Sequence, residues 1–372
     1  MSEWQTEVLE NLVSTPITYG VVKPGDYLNN GVKLIRGGDV YKGKISQILR
    51  TITPELSRQY QRTILEGGEL VVSLVGNPGE VALVPKELAG ANLARQVGLV
   101  RLKNNIYSNY VLYYLMSPQG IGQLSSKIMG SVQQVINLAD LRKIEIQIPL
   151  IQEQKAIASV LSSLDDKIDL LHRQNTTLER MAETLFRQWF IEEAQEDWGN
   201  GVLGDVLNLV YGKALKEEVR TGFGFPVVGS SGIVGYHSEY LAEGPGIVIG
   251  RKGTLGKVTY LFKNFFPIDT TYYIQSKNNS IGLIYEFCLL KTLSFDNSDS
   301  AVPGLNRDIA LSTEIKLPPL EKIQAFNKIN IPLFGKLEKN FEQIQTLEKL
   351  RDNLLPKLMS GEVRVDLEGA SA

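Results

Sequence analysis

The chain has 372 residues, a length that exceeds one ordinary hydrophobic core and predicts two or more domains. Hydrophobic residues make up 43% of the chain and charged residues 22%, which excludes an intrinsically disordered protein. The 39 basic and 41 acidic residues give a formal net charge of −2, so any surface for nucleic acid must arise from local segregation of charge.

The cysteine and histidine content narrows the chemistry further. Cys288 is the single cysteine, so it forms no internal disulfide, and with two histidines it cannot build an ordinary zinc site. We therefore expect a reducing, cytoplasmic environment. The first residues include acidic side chains and do not resemble a signal peptide, and no run of 18 apolar residues predicts a transmembrane helix.

Residues 1–150 form the first predicted domain. Short β-branched runs end at glycine or asparagine turns, which is typical of strands. Strands are predicted at 32–35 and 70–75, and a helix is predicted at 109–116.

Residues 151–194 are predicted to form a long helix. Residues 152–193 contain neither glycine nor proline, and their apolar residues recur at spacings of three and four. A helix of about 40 residues would span about 60 Å, so it needs a long packing partner. The predicted seam positions are Ile157, Leu161, Leu164, Ile168, Leu171, Asn175, Leu178 and Leu185.

Residues 195–317 form the second predicted domain, with strands at 247–249, 258–261 and 272–274 and a helix near 282–291. Residues 250–257 are rich in glycine and lysine but have the wrong spacing for a phosphate-binding P-loop. We interpret them as strand, turn and strand, with Gly253 and Gly256 in the turn. The turn is either purely structural or brings its three cations close to a DNA backbone, and the second interpretation is favoured.

Residues 318–356 are predicted to form a second long helix, followed by a tail at 357–372. Pro332 and Gly335 interrupt its start, and Pro356 is expected to close it. An antiparallel, intramolecular pairing with the first helix would bury both seams. The seam positions of the second helix are Leu333, Leu337, Asn340, Ile344, Leu347 and Leu354.

Asn175 and Asn340 leave two interpretations open. They could lie at the edge of the seam in contact with water, or they could be buried and fix the register of the helix pair, as asparagine does in coiled coils. Either role is structural.

The two halves of the chain repeat one another. The proline segments 148–150 and 317–319 share an offset of 169 residues with Asn137 and Asn306, while segments 70–81 and 247–258 match at an offset of 177. Their shared order indicates a duplicated unit of one globular domain and one helix. The predicted fold class is α+β, with two mixed, strand-rich domains separated by two long antiparallel coiled-coil helices and related by an internal pseudo-twofold repeat.

Several segments, spread over almost the whole chain, resemble segments of the specificity subunits of type I restriction-modification enzymes. Segment 34–40 (Leu-Ile-Arg-Gly-Gly-Asp-Val) is similar to one common opening of their target-recognition domains. The second helix departs from the family pattern, because Glu321 and Lys322 replace its usual Glu-Gln pair. The other matching segments are 148–158, 225–237, 246–258, 267–273, 317–323 and 354–364.

The resemblance implies a non-catalytic subunit that binds double-stranded DNA. Each target-recognition domain would read one half of a bipartite target, and the helix pair would set the gap. It also implies docking to two methyltransferase subunits and to restriction/translocase subunits, with no membrane. S-adenosylmethionine, ATP and Mg are then expected on the partner subunits, and no cofactor, metal or catalytic residue on this chain.

Loop-like cations, amides and hydroxyls are the candidates for DNA contacts, because arginine and lysine suit guanine and phosphate while amides suit adenine. For each one alone, an ordinary surface role is the commoner outcome. The candidates are Arg36, Lys42, Lys44, Gln133, Gln134, Lys213, Ser230, Ser231, Arg251, Lys252, Lys257 and Arg307.

Two rival functions and one variant of the main interpretation remain open from the sequence. The acidic balance would suit a coiled-coil scaffold that binds only proteins. Residues 250–257 would be the centre of an NTP-binding enzyme, although their spacing argues against it. A subunit of a related, fused restriction system is a variant of the main interpretation.

Overall fold

The computed structural model describes residues 4–295 and 304–366. Contacts divide the chain into two compact units, one formed by residues 1–169 with 345–372 and the other by residues 170–344. Each unit contains one strand-rich region and a part of each of two long helices. The predicted α+β class, with duplicated strand-rich regions and two long helices, is confirmed.

The first unit opens with eleven short strands and five short helices. The strands are β1 (Gln5–Val8), β2 (Thr18–Tyr19), β3 (Val32–Ile35), β4 (Val40–Tyr41), β5 (Lys44–Ile45), β6 (Arg50–Ile52), β7 (Leu70–Ser73), β8 (Val81–Leu83), β9 (Asn92–Leu93), β10 (Val97–Val100) and β11 (Glu145–Ile148). The helices are α1 (Leu9–Leu12), α2 (Pro54–Gln59), α3 (Ser108–Met116), α4 (Pro118–Ser126) and α5 (Leu138–Leu141).

The first long helix, α6 (Ile151–Arg187), follows and ends in a single π-helical turn, Gln188–Glu192. The second region contains β12 (Gly199–Val202), β13 (Leu207–Tyr211), β14 (Phe225–Gly229), β15 (Gly232–His237), β16 (Gly246–Gly250), β17 (Val258–Leu261), β18 (Phe266–Pro267), β19 (Thr271–Ser276) and β20 (Glu314–Leu317). Its helices are α7 (Leu203–Val206), α8 (Leu283–Thr292) and α9 (Arg307–Leu311), and the second long helix is α10 (Leu320–Met359).

The two regions share one sheet topology. The order β2-β10-β7-β8 in the first corresponds to β13-β19-β16-β17 in the second, and β6-β3-β9 corresponds to β15-β14-β18. In both three-stranded sheets the last pair is parallel, whereas the other strand pairs are antiparallel. A β1-β11 pair and a β12-β20 pair bring the start of each region to the strand before its long helix. The duplication inferred from the sequence is therefore structural.

Each region packs its own core because the central strands are apolar on both faces. All four residues of β7 and all five of β16 are buried. Buried residues of α3 and α8 pack against these sheets, and the long helices add Ile157 and Leu161 to the first core and Phe326 and Phe334 to the second. These contacts anchor the long helices to the strand-rich regions.

A tryptophan is tied to the start of a long helix in both units. In the first, the Trp4 indole donates to Glu153 at 3.2 Å, and Arg364 pairs with the same carboxylate at 3.0 Å. In the second, the ammonium of Lys322 lies 4.9 Å from the centroid of the Trp198 ring, a cation–π contact. Lys322, where this chain departs from the family pattern, thus contacts its tryptophan through a cation–π interaction, whereas Glu153 accepts a hydrogen bond from Trp4.

The helix α10 differs from the sequence-based expectation at its prolines. It runs unbroken through Pro332 and past Pro356 to Met359, instead of being interrupted at its start and closed at residue 356. An interior proline costs about 3 kcal/mol, but burial of one large apolar side chain returns about 1.5–3 kcal/mol. Phe334 is buried just after the first proline, and Leu358 and Met359 are buried just after the second. Burial of these apolar side chains therefore outweighs the helix-breaking effect of the two prolines.

Candidate nucleic-acid interface

Arg36 lies in a tight turn that follows β3. Its Nε and Nη2 donate to Asp39 at 3.0 and 2.9 Å, and its backbone N–H donates to the same carboxylate at 2.8 Å. The hydrogen bonds that Arg36 donates to the buried carboxylate of Asp39 raise the pKa of Arg36. A Cβ on Gly37 would lie 1.7 Å from the carbonyl oxygen of Val75, so this position accepts only glycine. Segment 34–40 thus contains a fixed structural turn. The guanidinium of Arg36 in this turn is already hydrogen-bonded to Asp39.

Lys42 lies in the turn between β4 and β5, and Lys44 is the first residue of β5. The Lys42 backbone has φ 45°, and its N–H donates to Glu80 at 2.6 Å, while its ammonium lies 5.2 Å from the Tyr41 ring. Lys44 forms an ion pair with Asp169 of α6. Both lysines are exposed, but neither lines the two cavities that adjoin at Arg95 and Gln96.

Two adjoining cavities of about 490 and 310 Å³ share Val22, Arg95 and Gln96 in their linings. We call the pair the first-domain groove. It is open to solvent and carries aromatic, cationic and amide side chains. The polar and aromatic residues that line it are Tyr19, Lys23, Tyr27, Arg36, Arg95, Gln96 and Gln133.

Gln133 and Gln134 belong to a short loop after α4. Met129 and Val135 close its base through two backbone hydrogen bonds of 2.9 Å each. Gln133 lines the first-domain groove, whereas Gln134 is exposed next to it in the chain and is not part of the lining. The structure therefore places Gln133, and not Gln134, in the lining of the same groove as Arg36.

In the second region, Arg251 and Arg307 converge on one exposed tyrosine. Their guanidinium carbons lie 5.0 and 5.7 Å from the centroid of the Tyr211 ring. Arg251 also donates to the carbonyl oxygen of Asp269 at 3.1 Å and lies 5.7 Å from the Tyr272 ring. We call Tyr211, Arg251 and Arg307 the second-domain cluster. Two cations over one ring form a positive, flat surface suited to a phosphodiester or a base.

The hairpin of β16 and β17 carries two more candidates. Gly253 and Gly256 have positive φ values of 81° and 68°, which confirms the predicted turn. Lys252 is exposed in this turn. Lys257, at its end, donates to the backbone carbonyl of Ser231 at 2.5 Å. The turn is followed by a strand and not by a helix, so it lacks the architecture of a P-loop.

Ser230, Ser231 and Lys213 complete the candidate set. The two serines follow β14, where Ser230 is partly buried and Ser231 is exposed. Lys213 is exposed just after β13, with its backbone N–H bound to the carbonyl oxygen of Pro267 at 3.0 Å. These three residues lie outside the second-domain cluster as defined here.

An exposed tyrosine occupies the same place in both regions, and the sequence analysis missed it. Tyr19 and Tyr211 end the equivalent strands β2 and β13, and both are followed by glycine. A Cβ on Gly20 would lie 1.8 Å from the carbonyl oxygen of Leu93, and one on Gly212 would lie 2.2 Å from that of Ile268. The repeated Tyr-Gly pair was the available signal.

The arginines beside these tyrosines come from different elements. Backbone hydrogen bonds show the correspondence, because the Leu74 N–H donates to Gln96 at 2.7 Å and the Arg251 N–H donates to Thr270 at 2.8 Å. Leu74 therefore takes the place of Arg251. The first region supplies its guanidinium instead from Arg95, in the turn that precedes Gln96. An alignment of the two halves pairs Arg251 with Leu74, so it could not reveal that Arg95 supplies the guanidinium in the first region.

The predicted seam residues are all buried or half-buried. In the second unit, fully buried Asn340 donates to Asn175 at 2.8 Å, so this pair lies within the helix packing and not in open water. In the first unit, Asp165 of α6 accepts from Arg351 at 3.0 Å and from the Tyr113 hydroxyl at 2.8 Å. The long helices thus make polar side-chain contacts with one another in both units.

Across 4–295 and 304–366 there is no group of three or more histidine, cysteine or acidic residues that could hold a metal ion. Burial raises the pKa of the Cys288 thiol to about 12, which makes it a poor nucleophile at neutral pH. Over the same residues, no helix is both long and apolar enough to cross a membrane.

Comparison with known proteins assigns the family. Residues 6–180 and 195–350 match the family described as "Type I restriction modification DNA specificity domain", and the chain belongs to that family. It is thus a DNA-specificity subunit of a restriction-modification system, not a catalytic one, as the sequence resemblance predicted.

Individual relatives agree along most of the chain. The type I restriction enzyme MjaIX specificity subunit of Methanocaldococcus jannaschii is 27% identical, over 87% of this chain and 84% of that protein. A putative type I specificity subunit of Mycoplasma genitalium is 29% identical, over 67% of this chain and 70% of that protein. A crystal structure of a type I restriction-modification S subunit from M. genitalium shares the fold, with a TM-score of 0.59, 21% identity and coverage of 95% and 96%.

Proposed function

We propose that this chain reads a bipartite DNA target, with one half-site bound by each strand-rich region. The observation that supports this most directly is the exposed tyrosine at the same place in both regions. Tyr19 lines one cavity together with Arg95, and Tyr211 lies 5.0 Å from the guanidinium carbon of Arg251. Arginine and aromatic rings serve phosphate and base contacts, and a duplicated surface suits two half-sites. The net charge of −2 does not oppose this, because two arginines, Arg251 and Arg307, still converge on the Tyr211 ring.

The long helices would serve as the spacer. A helix has a fixed rise of about 1.5 Å per residue, so a packed pair of helices can hold a fixed distance between two reading surfaces. A target with a gap of constant length requires such a constraint. The Asn340–Asn175 hydrogen bond would hold the pair in one register, as a buried asparagine does in coiled coils.

Assembly completes the proposal. Two methyltransferase subunits and the restriction/translocase subunits would dock on this chain in the cytoplasm. S-adenosylmethionine, ATP and Mg would be bound by those partners. This chain would contribute DNA sequence recognition and would neither methylate nor cleave by itself.

The proposal is tested by expressing the chain with its methyltransferase partner in a host that lacks other systems. Methylated bases are then mapped by single-molecule sequencing. We expect methylation at one split motif with a fixed gap, and its loss when this chain is omitted. Methylation that persists without the chain would contradict the proposal and would favour a scaffold that binds only proteins.

A further inference from the structure

We infer that Arg95, Gln96 and Gln133 read bases in the half-site bound by the first region, and that this half-site contains a guanine and an adenine. The inference rests on the proposed function and specifies how one of its two surfaces selects sequence. Arg95 and Gln96 were not among the residues that the sequence singled out.

Arg95 and Gln96 are held on a rigid turn between β9 and β10. The Arg95 N–H donates to Val21 at 2.8 Å, and the carbonyl oxygen of Gln96 accepts from Leu74 at 2.7 Å. The residues on either side of the turn, Ala94 and Val97, are buried. Because the backbone is fixed on both sides, these two side chains reach into the groove from a preorganised base, which lowers the entropy lost on binding.

Arg95 has its hydrogen-bonding capacity free. Among the described residues, no hydrogen bond or ion pair engages its guanidinium, and the side-chain amides of Gln96 and Gln133 are likewise without a partner. Arg36 lines the same groove but donates twice to Asp39. Arg95 is therefore the base-reading arginine, and Arg36 is a positioning residue that fixes the wall of the groove.

The free groups match particular base edges. A guanidinium donates two parallel hydrogen bonds to O6 and N7 of guanine, and a carboxamide both accepts from N6 and donates to N7 of adenine. Tyr19 and Lys23 border the same groove and can contact sugar and phosphate. The groove thus combines base-reading groups with backbone-positioning groups.

The second region differs at these places. Asp269 and Thr270 form the turn that corresponds to Arg95 and Gln96, and the guanidinium comes from Arg251 instead. An acidic residue and a hydroxyl cannot reproduce the contacts of an arginine and an amide. The two half-sites therefore differ in sequence, although the regions share one topology.

The test compares methylation motifs of the full chain, expressed with its methyltransferase, for Arg95→Ala and for the double variant Gln96→Ala, Gln133→Ala. We expect Arg95→Ala to lose discrimination about 5- to 150-fold at one guanine of one half-site. The double variant should relax an adenine position in the same half-site. Arg95→Lys, which keeps the charge but not the fork, should relax the same guanine.

Three controls make the result decisive. Arg58→Ala removes an exposed arginine of the same region that does not line the groove, and it should leave the motif unchanged. Arg36→Ala, which removes the ion pair with Asp39 in the wall of the groove, should lower the melting temperature and shows the effect of lost groove structure as opposed to a lost base contact. Arg251→Ala should alter only the other half-site.

The inference is overturned if Arg95→Ala or the glutamine double variant methylates the unchanged motif as well as the wild type. It is also overturned if an Arg95→Ala protein with normal melting loses methylation at every site equally, since that behaviour marks a phosphate contact. Absence of methylation with the wild-type chain would instead refute the proposed function itself.

Discussion

Glu286 in α8 is a fully buried carboxylic acid in the second unit. Neither of its oxygens has a hydrogen-bond partner among the described residues. Burial raises the pKa of Glu286 to about 7. The carboxyl group thus remains largely protonated in the folded state at mildly acidic pH, where the unfolded chain would have lost the proton.

This sets the direction of a pH effect on stability. Because the folded state binds the proton more tightly, stability falls as pH rises from about 4.5 to 7. Glu286→Gln removes the charge and keeps the size, so it should raise the melting temperature by a few degrees at pH 8 and change it little at pH 5. Thermal unfolding at both pH values checks this. An equal effect at both pH values would show that the carboxyl group does not titrate in this range.

Arg307 and Arg251 should act differently on DNA although they share the Tyr211 ring. Arg307 is 45% exposed and, among the described residues, forms an ion pair only with its neighbour Asp308, whereas Arg251 donates to Asp269 and lies over two tyrosine rings. A mobile cation suits phosphate, and a fixed fork suits a base. Arg307→Ala should weaken binding to all sequences and reduce the salt slope by about one.

Fluorescence anisotropy of the assembled complex on labelled DNA, at several salt concentrations, measures this slope. Arg251→Ala serves as the matched variant and should change sequence preference more than the slope. A changed motif in the Arg307→Ala variant would argue against the phosphate role.

At the scale of elements, the Asn340–Asn175 pair is a polar exception within apolar helix packing. The offset of 169 residues places Leu171 and Ile344 at the corresponding positions of the repeat. Asn340→Leu alone would leave Asn175 without its partner and should destabilise the protein by about 1–3 kcal/mol. The double variant Asn175→Ile, Asn340→Leu copies the repeat and should recover that loss or exceed it.

Chemical denaturation of the two variants distinguishes these cases. If the double variant is the less stable of the two, the asparagine pair stabilises the helices beyond what apolar packing can supply, and the prediction fails. The methylation motif of both variants reports whether the register also affects recognition.

Pro332 is the second exception at this scale. Its exposed ring sits in the interior of α10, where proline removes one backbone hydrogen bond. Pro332→Ala should stabilise the protein by about 1–2 kcal/mol, since part of the gain is offset by greater freedom of the unfolded chain. Pro356→Ala, close to the end of the same helix, should give less. A lower stability of Pro332→Ala in thermal melts would show that the ring makes contacts that matter.

At the scale of the whole molecule, the sequence predicted the duplication, the strand-rich regions and both long helices, because periodicity and glycine turns are local signals. The length of α10 could not be predicted, since burial of Phe334 and Leu358 outweighs the prolines. Arg251 and Arg307 were singled out, but Arg95 was not. The first region supplies its guanidinium from Arg95, in the turn before β10, whereas the second region supplies it from Arg251, just after β16. Only the folded chain shows this difference in position.

We propose that each strand-rich region reads one half-site independently of the other. The first experiment is to replace residues 195–317 with the corresponding segment of another specificity subunit and to map methylation after expression beside the same methyltransferase. We expect one half of the motif to change while the other half is kept. A change in both halves, or in neither, in a chain that still directs methylation would contradict it.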